Sequence, residues 1–190
     1  MRRIKTAVIG AGFMGRVHAE AIRRLGNVDI VAVAAISEDE ASRFGQSIGV
    51  ERTTADYQAI VADPEIEALH VCTPNALHYP VAMAAMRAGK AVLCEKPLTV
   101  SEAEARDLVR TAANQGVANC VNHNLRYYPV VQHIRRMIED GDLGEILVVQ
   151  GTYSQDWLLY ETDYNWRIES KENGRLRAVA DIGSHLMDMV

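Results

Sequence analysis

Three glycines near the amino terminus, in the run Gly10-Ala11-Gly12-Phe13-Met14-Gly15, have the spacing of a turn that admits a pyrophosphate. In such a turn the first glycine takes the tight bend and the second lets the backbone approach the anion. The third lets the following helix pack closely on the preceding strand. Phe13 and Met14 then open a helix whose free N–H groups and partial positive charge face the ligand. The pattern is weak alone and gains weight only between a strand and a helix. The competing reading is a glycine-rich turn without a nucleotide. Its placement favours a dinucleotide at Gly10, Gly12, Phe13, Met14 and Gly15.

Roughly 20 residues past the last glycine, an acidic side chain that holds the adenine ribose hydroxyls favours NAD. Here that position is Ala35. Without a carboxylate nothing repels a 2′-phosphate, and Ser37 could donate to one, although no arginine adjoins it. Glu38 and Asp39 read instead as the first turn of the next helix, where acidic groups suit the dipole. The expected cofactor is NAD or NADP, with a lean to NADP.

Two further runs, Thr73-Pro74-Asn75-Ala76-Leu77-His78 and Glu95-Lys96-Pro97, follow apolar stretches. Each therefore falls at the carboxyl end of a strand, where open parallel sheets bind ligands. Taken singly, the first reads equally as a turn with a helix cap and the second as a surface turn. Lys96 at a strand end can point into a cofactor crevice, and Pro97 biases it to extended geometry.

The elements that must position these residues alternate from the start of the chain. Strands are expected at 4–9, 30–35, 68–72, 91–94 and 117–121, and helices at 13–25, 38–48, 57–62, 78–88 and 102–115. Runs such as Ile30-Val31-Ala32-Val33-Ala34-Ala35 are apolar on both faces, as a sheet covered by crossover helices requires. Asp56 reads as an N-cap, and Ser101 with Glu104 as a capping box. The chain is thus expected to be α/β, with a doubly wound parallel sheet over 1–121. From 122 the texture turns polar and aromatic, a helix runs to about residue 139, and 145–153 reads as a long strand opening a second domain. Residues 143–190 offer too little apolar surface for a core of their own. The apolar helical pattern at 186–190 stops without a C-cap, so we expect a fragment.

Composition narrows the function classes. With 190 residues, against about 150 per domain, there is room for one domain and part of another. Hydrophobic residues at 48% and charged residues at 24% suit a folded globular chain. A formal net charge of -5 argues against a nucleic acid partner, and no apolar run reaches the roughly 18 residues a membrane span needs. Cys72, Cys94 and Cys120 match neither a zinc site nor a disulfide framework, so we expect reduced thiols, no metal and a cytoplasmic setting. Arg2, Arg3 and Lys5 precede an uncharged stretch, and Ala19-Glu20-Ala21 has the form of a cleavage site. The stretch holds three glycines and no leucine, a poor signal-peptide core.

In their joint order, Gly10-x-Gly12-x-x-Gly15, Thr73-Pro74-Asn75-x-x-His78, Glu95-Lys96-Pro97, Trp166-Arg167 and Asp181-Ile182-Gly183-Ser184-His185-Leu186-Met187-Asp188 resemble the Gfo/Idh/MocA oxidoreductase family over essentially the whole chain. The resemblance implies a Rossmann domain at 1–121, then at 122–190 a linker helix and the start of an incomplete α/β substrate domain. It implies an NAD(P)-dependent dehydrogenase or reductase acting on a sugar, cyclitol or related polyhydroxy compound. It implies catalysis by Lys96, Asp181 and His185. Thr73, Pro74, Asn75, His78, Glu95, Lys96 and Arg167 would lie near the cofactor, and His123, Asn124, Arg126 and Tyr153 near the substrate. A homo-oligomer is implied for the full-length protein. Asn122-His123-Asn124-Leu125-Arg126 departs from a Gly-Tyr-Asn-Arg-Arg-like run common in the family, which bears on the substrate.

The chemistry of the residues agrees. Oxidising an alcohol by hydride loss also requires removal of the hydroxyl proton. His185 suits the base, Asp181 four residues earlier shares its helical face and could orient it, and Lys96 would polarise the reacting oxygen. Taken alone, Asp181 reads as a helix cap and His185 as a core residue. Tyr127, Tyr128, Tyr153 and Trp157 read first as packing residues, although aromatic faces suit sugar rings. Two other functions fit the same resemblance: a cofactor-binding regulator without turnover, and an NAD-dependent glycosidase. Reduced cofactor released with product marks the dehydrogenase.

Overall fold

The computed structural model describes residues 2–190, which divide into two compact units that meet in sequence between residues 121 and 122. In the first unit six parallel strands form one sheet: β1 (Ile4–Ile9), β2 (Val28–Ala34), β3 (Thr53–Thr54), β4 (Ala68–Val71), β5 (Ala91–Cys94) and β6 (Asn119–Val121). Their order is β3-β2-β1-β4-β5-β6, crossed over by α1 (Phe13–Leu25), α2 (Glu38–Ser47), α3 (Tyr57–Ala62), α4 (His78–Arg87) and α5 (Glu102–Gln115). The chain builds outward from β1 to β3 and then returns to the other side of β1 with β4. Such a reversal opens a crevice beyond the carboxyl ends of the strands. This is the doubly wound α/β fold expected of the alternating pattern.

Successive residues of a strand face opposite sides of the sheet, and β1 shows it directly. Ala7 and Ile9 join Leu69, Val71, Val81, Val92 and Leu108 in one apolar cluster. Val8 joins Val33, Ala19 and Ile22 of α1, and Phe44 of α2 in the other. The pairing aligns the strand ends as well: Ile9 pairs with both Ala34 and Val71, Val71 with Cys94, and Cys94 with Val121. The residues that follow these positions therefore leave the sheet along one edge. At the opposite end Lys90 is buried, and its ammonium donates to the carbonyls of Asp63 and Ile66 at 2.5 and 2.6 Å.

Three helices, 13–25, 57–62 and 102–115, coincide with the expected ranges. Asp56 and Ser101 cap their helices, accepting from the N–H groups of Gln58 and Glu104. β2 begins earlier than expected, at Val28, and β6 is shorter, Asn119–Val121. The two-residue strand Thr53–Thr54 was not foreseen, since it is defined by pairing with Val33 and Ala34 and not by a pattern of its own.

The second unit contains α6 (Pro129–Glu139), the short α7 (Ser170–Asn173), and a π-helical segment Val179–Gly183 that runs into α8 (Ser184–Met189). Two expectations are corrected here. Residues 145–153 are not a strand. A strand requires a partner ladder, and the described residues of this unit contain no second strand to supply one. Leu147 and Val148 are exposed. Asp181 and His185 do not share a regular α-helix either, because Asp181 lies in the wider π segment and His185 in α8.

The Phe44 ring fills the space between α2 and the glycine turn, 3.6 Å from where a Cβ on Gly15 would stand. Phe44→Ala is expected to cost about 3–5 kcal/mol, read as a lowered urea midpoint with an unchanged slope.

Candidate functional site

The turn after β1 contains glycines of two kinds. Gly10 has φ +111°, a conformation side chains avoid, and a Cβ there would stand 2.4 Å from the Cys72 carbonyl oxygen. A Cβ on Gly15 would stand 2.0 Å from the Gly10 carbonyl oxygen. Both are demanded by the packing of β1, β4 and α1. Gly12 differs: its φ is −69°, and a Cβ would meet nothing within 4 Å. The protein's own packing makes no demand for glycine there. Gly12 is also the N-cap of α1, with no side chain bonded across it, which leaves the first N–H groups of the helix for a ligand. Phe13 is exposed beside this turn, and Met14 packs against the core. Beyond β4, Thr73 Oγ1 is buried with no hydrogen-bond partner. This cradle fits a pyrophosphate.

At the end of β2, Ala35 donates its N–H to Thr54, and Ile36 is 88% exposed. Ser37 caps α2, accepting from the Glu40 N–H at 3.2 Å. The nearby carboxylates are engaged elsewhere: Glu38 accepts the Ala55 N–H at 2.7 Å, and Asp39 pairs with Arg43 one turn along the helix.

The loops after β4 and β5 are tied together from beneath. Pro74 leads into a 3-10 turn, Asn75–Leu77, that continues as α4. The buried ring of His78 sets Nδ1 2.7 Å from the Pro97 carbonyl oxygen and Nε2 2.9 Å from that of Thr73. Burial pushes its pKa down, against those carbonyls and Glu95, which push it up. A neutral ring donates to only one of the two at a time. The Lys96–Pro97 peptide is cis. Glu95 is buried, with Oε1 3.0 Å from His18 Nε2 and Oε2 accepting the Lys96 N–H at 3.3 Å. Burial pushes the Cys72 and Cys94 thiols up, which keeps them protonated.

In the second unit, His185 lies in edge contact with His123 and Tyr153, with ring centroids 5.8 and 6.1 Å away. His123 Nδ1 is buried without a hydrogen-bond partner. Arg126 binds Asp188 through both Nε, at 2.9 Å, and Nη2, which holds that carboxyl below its usual range. Asn124 is exposed in the 3-10 turn Asn124–Tyr127. The Arg167 guanidinium stacks 4.8 Å over Trp166.

The structure thus groups Gly10 to Lys96 around one sheet edge, and His123, Tyr153 and His185 around one another. Sequence reading missed His18, His70 and Asp188. Gly15, His18, Ala19 and Ile22 form the buried stripe of α1, so a histidine at that spacing reads as core. Among the described residues no group of three or more ligands could hold a metal ion, and no helix is long and apolar enough to cross a membrane.

Residues 4–123 match the Gfo/Idh/MocA model for an oxidoreductase family with an NAD-binding Rossmann fold, and residues 131–190 match the Gfo/Idh/MocA C-terminal domain. Levoglucosan dehydrogenase of Pseudarthrobacter phenanthrenivorans is 32% identical, over 100% of this chain and 50% of its own length. The NADP(+)-dependent scyllo-inositol 2-dehydrogenase of Bacillus subtilis is also 32% identical, over 97% and 50%. The solved structure of a levoglucosan dehydrogenase with NADH and L-sorbose superposes with a TM-score of 0.95 at 31% identity, covering 100% of this chain and 53% of that one. The chain spans about half the length of the curated relatives it matches.

The two kinds of glycine should separate experimentally. Gly12→Val is expected to lower NADH and NADPH affinity by about tenfold or more, while stability falls only by the roughly 1 kcal/mol of a poorer cap. Gly10→Ala should instead cost about 2–4 kcal/mol of stability. Fluorescence titration and urea unfolding of both variants measure the contrast.

Proposed function

This chain belongs to the Gfo/Idh/MocA oxidoreductase family, and from that premise we propose that it serves hydride transfer between NAD(P) and a sugar, cyclitol or related polyhydroxy compound. The observation that carries the reading is the aligned strand-end row of Ala34, Ile9, Val71 and Cys94. It delivers the glycine turn, the Thr73–His78 segment and Lys96 to a single edge. The relatives, named as dehydrogenases of a sugar derivative and of a cyclitol, support the substrate class.

Gly10, Gly12, Gly15 and the first N–H groups of α1 hold the pyrophosphate, with Thr73, Pro74 and Asn75 beside it. When bound, the nicotinamide supplies the hydride acceptor. An alcohol that loses hydride must also lose its hydroxyl proton, and His185 takes it at an imidazole nitrogen. The aromatic neighbours His123 and Tyr153 hold that ring in place. Asp181 orients the imidazole or a substrate hydroxyl. The Lys96 ammonium donates to the reacting oxygen and stabilises charge developing there. Arg126, already paired with Asp188, and Asn124 line the substrate side, and Arg167 serves the cofactor.

The end of β2 supports a lean to NADP. Ala35 brings no carboxylate against a 2′-phosphate, and Glu38 and Asp39 are engaged elsewhere. The relatives include a dehydrogenase named for NADP(+) and one bound to NADH. Free thiols at Cys72, Cys94 and Cys120 support a cytoplasmic setting, and the exposed apolar run at Ile146, Leu147, Val148 and Val149 supports a homo-oligomer.

Ala35→Asp should move preference towards NAD by about tenfold, as the new carboxylate binds ribose hydroxyls and repels the 2′-phosphate. Stronger NADPH binding would displace this account of the β2 end. A screen of sugars and cyclitols, followed through appearance of reduced cofactor, tests the reaction itself. In the active gene product His185→Asn should keep dinucleotide affinity and slow hydride transfer by about 10²- to 10⁴-fold. A wild-type rate and pH profile would assign the proton to another residue.

A further inference from the structure

A line of buried side chains runs from the first helix to the backbone of Lys96. His18 is 4% exposed and Glu95 6%. The His18 ring sets Nε2 3.0 Å from Glu95 Oε1 and Nδ1 2.9 Å from Nδ1 of His70 on β4. The two rings meet edge to face, 5.2 Å between centroids. Glu95 Oε2 accepts the Lys96 N–H. Burial pushes His70 down to about 4, so at neutral pH that ring carries one proton. A contact between two Nδ1 atoms needs a single proton between them.

Glu95 acts as an anion on its neighbours Cys72, Cys94 and His78, so His18 Nε2–H is the donor to Oε1. In a neutral His18, Nδ1 is then an acceptor, and the proton in the 2.9 Å contact belongs to His70. The bond made by one ring nitrogen fixes the state of the other.

We propose that His18 is a positioning residue for Lys96, acting through Glu95, and that His70 is the lock that keeps His18 in its donating tautomer. The proposal rests on the reading of Lys96 as the group that polarises the reacting oxygen. His18 stands one turn beyond Gly15 on the helix that opens at the dinucleotide turn. One side chain therefore ties that helix to the backbone from which Lys96 extends. Loss of the tie lets Lys96 move relative to the cofactor while the glycine turn, built by Gly10 and Gly15, stays intact. Small errors in placing a reacting group are costly in rate.

Nitrogen-15 histidine spectra of the unsubstituted gene product decide the hydrogen bonds without any substitution. The expected result is an Nε2–H tautomer for His18 and an Nδ1–H tautomer for His70. The reverse pair of tautomers, or a His18 protonated on both nitrogens, would overturn the lock. In kinetics, His18→Leu and His70→Leu should lower kcat by about tenfold or more with NADH affinity unchanged. His70→Asn, whose amide can still donate to His18, should restore most of the rate. An asparagine variant as slow as the leucine variant, or a leucine variant at the wild-type rate, would overturn the positioning role. Absence of turnover on every polyhydroxy compound would count against the functional reading alone, since tautomers and NADH affinity are measured without turnover.

Discussion

The approach of the turn after β1 to the start of the loop after β4 is the constraint on which the rest of this structure depends. A Cβ at residue 10 would stand 2.4 Å from the Cys72 carbonyl oxygen, and one at residue 15 only 2.0 Å from the Gly10 carbonyl oxygen. Those two contacts draw β1, β4 and α1 together where the order of the sheet reverses. The closeness has a further effect: α1 lies low enough on the sheet for His18 to reach both β4 and the end of β5. Two absent methyl groups thus set the depth at which a buried carboxylate is met.

Much of this was legible in the sequence, and the reasons are specific. Apolar periodicity and caps placed 57–62 and 102–115 because Asp56 and Ser101 act locally, on residues two and three positions away. The glycine motif was legible because its spacing reports sterics that any such turn must meet. The parts that escaped depend on what lies across space. Thr53–Thr54 is a strand only because Val33 and Ala34 are beside it. Residues 145–153 contain the β-branched run of a strand yet have no ladder. The π segment at Val179–Gly183 changes the period within one motif, and a rule of four residues per turn passes over it.

Histidine was the residue type hardest to read. His18, His78 and His185 differ little as letters, and the structure separates them by the surroundings of each ring. His78 has a carbonyl on either side, His18 a carboxylate and a second ring, and His185 two aromatic neighbours. Spacing marks only the face a histidine occupies, and for His18 that face belongs to the core. Its chemistry comes from Glu95, 77 positions further along the chain.

The level row of strand ends has an evolutionary meaning. Because Ala34, Ile9, Val71 and Cys94 stand in register, each loop departs from a shared baseline, and the positions outside the ties between loops can be rewritten without moving the sheet. Residues before the row set the register and the stability. Those after it divide: Gly10, His78 and Glu95 are held by close packing or buried hydrogen bonds, whereas exposed positions such as Phe13 and Ile36 can drift in identity at little cost to folding. A lineage built on this sheet can therefore acquire a new specificity through single loops, and a library confined to the exposed residues beyond the row would sample new chemistry with most of its members still folded.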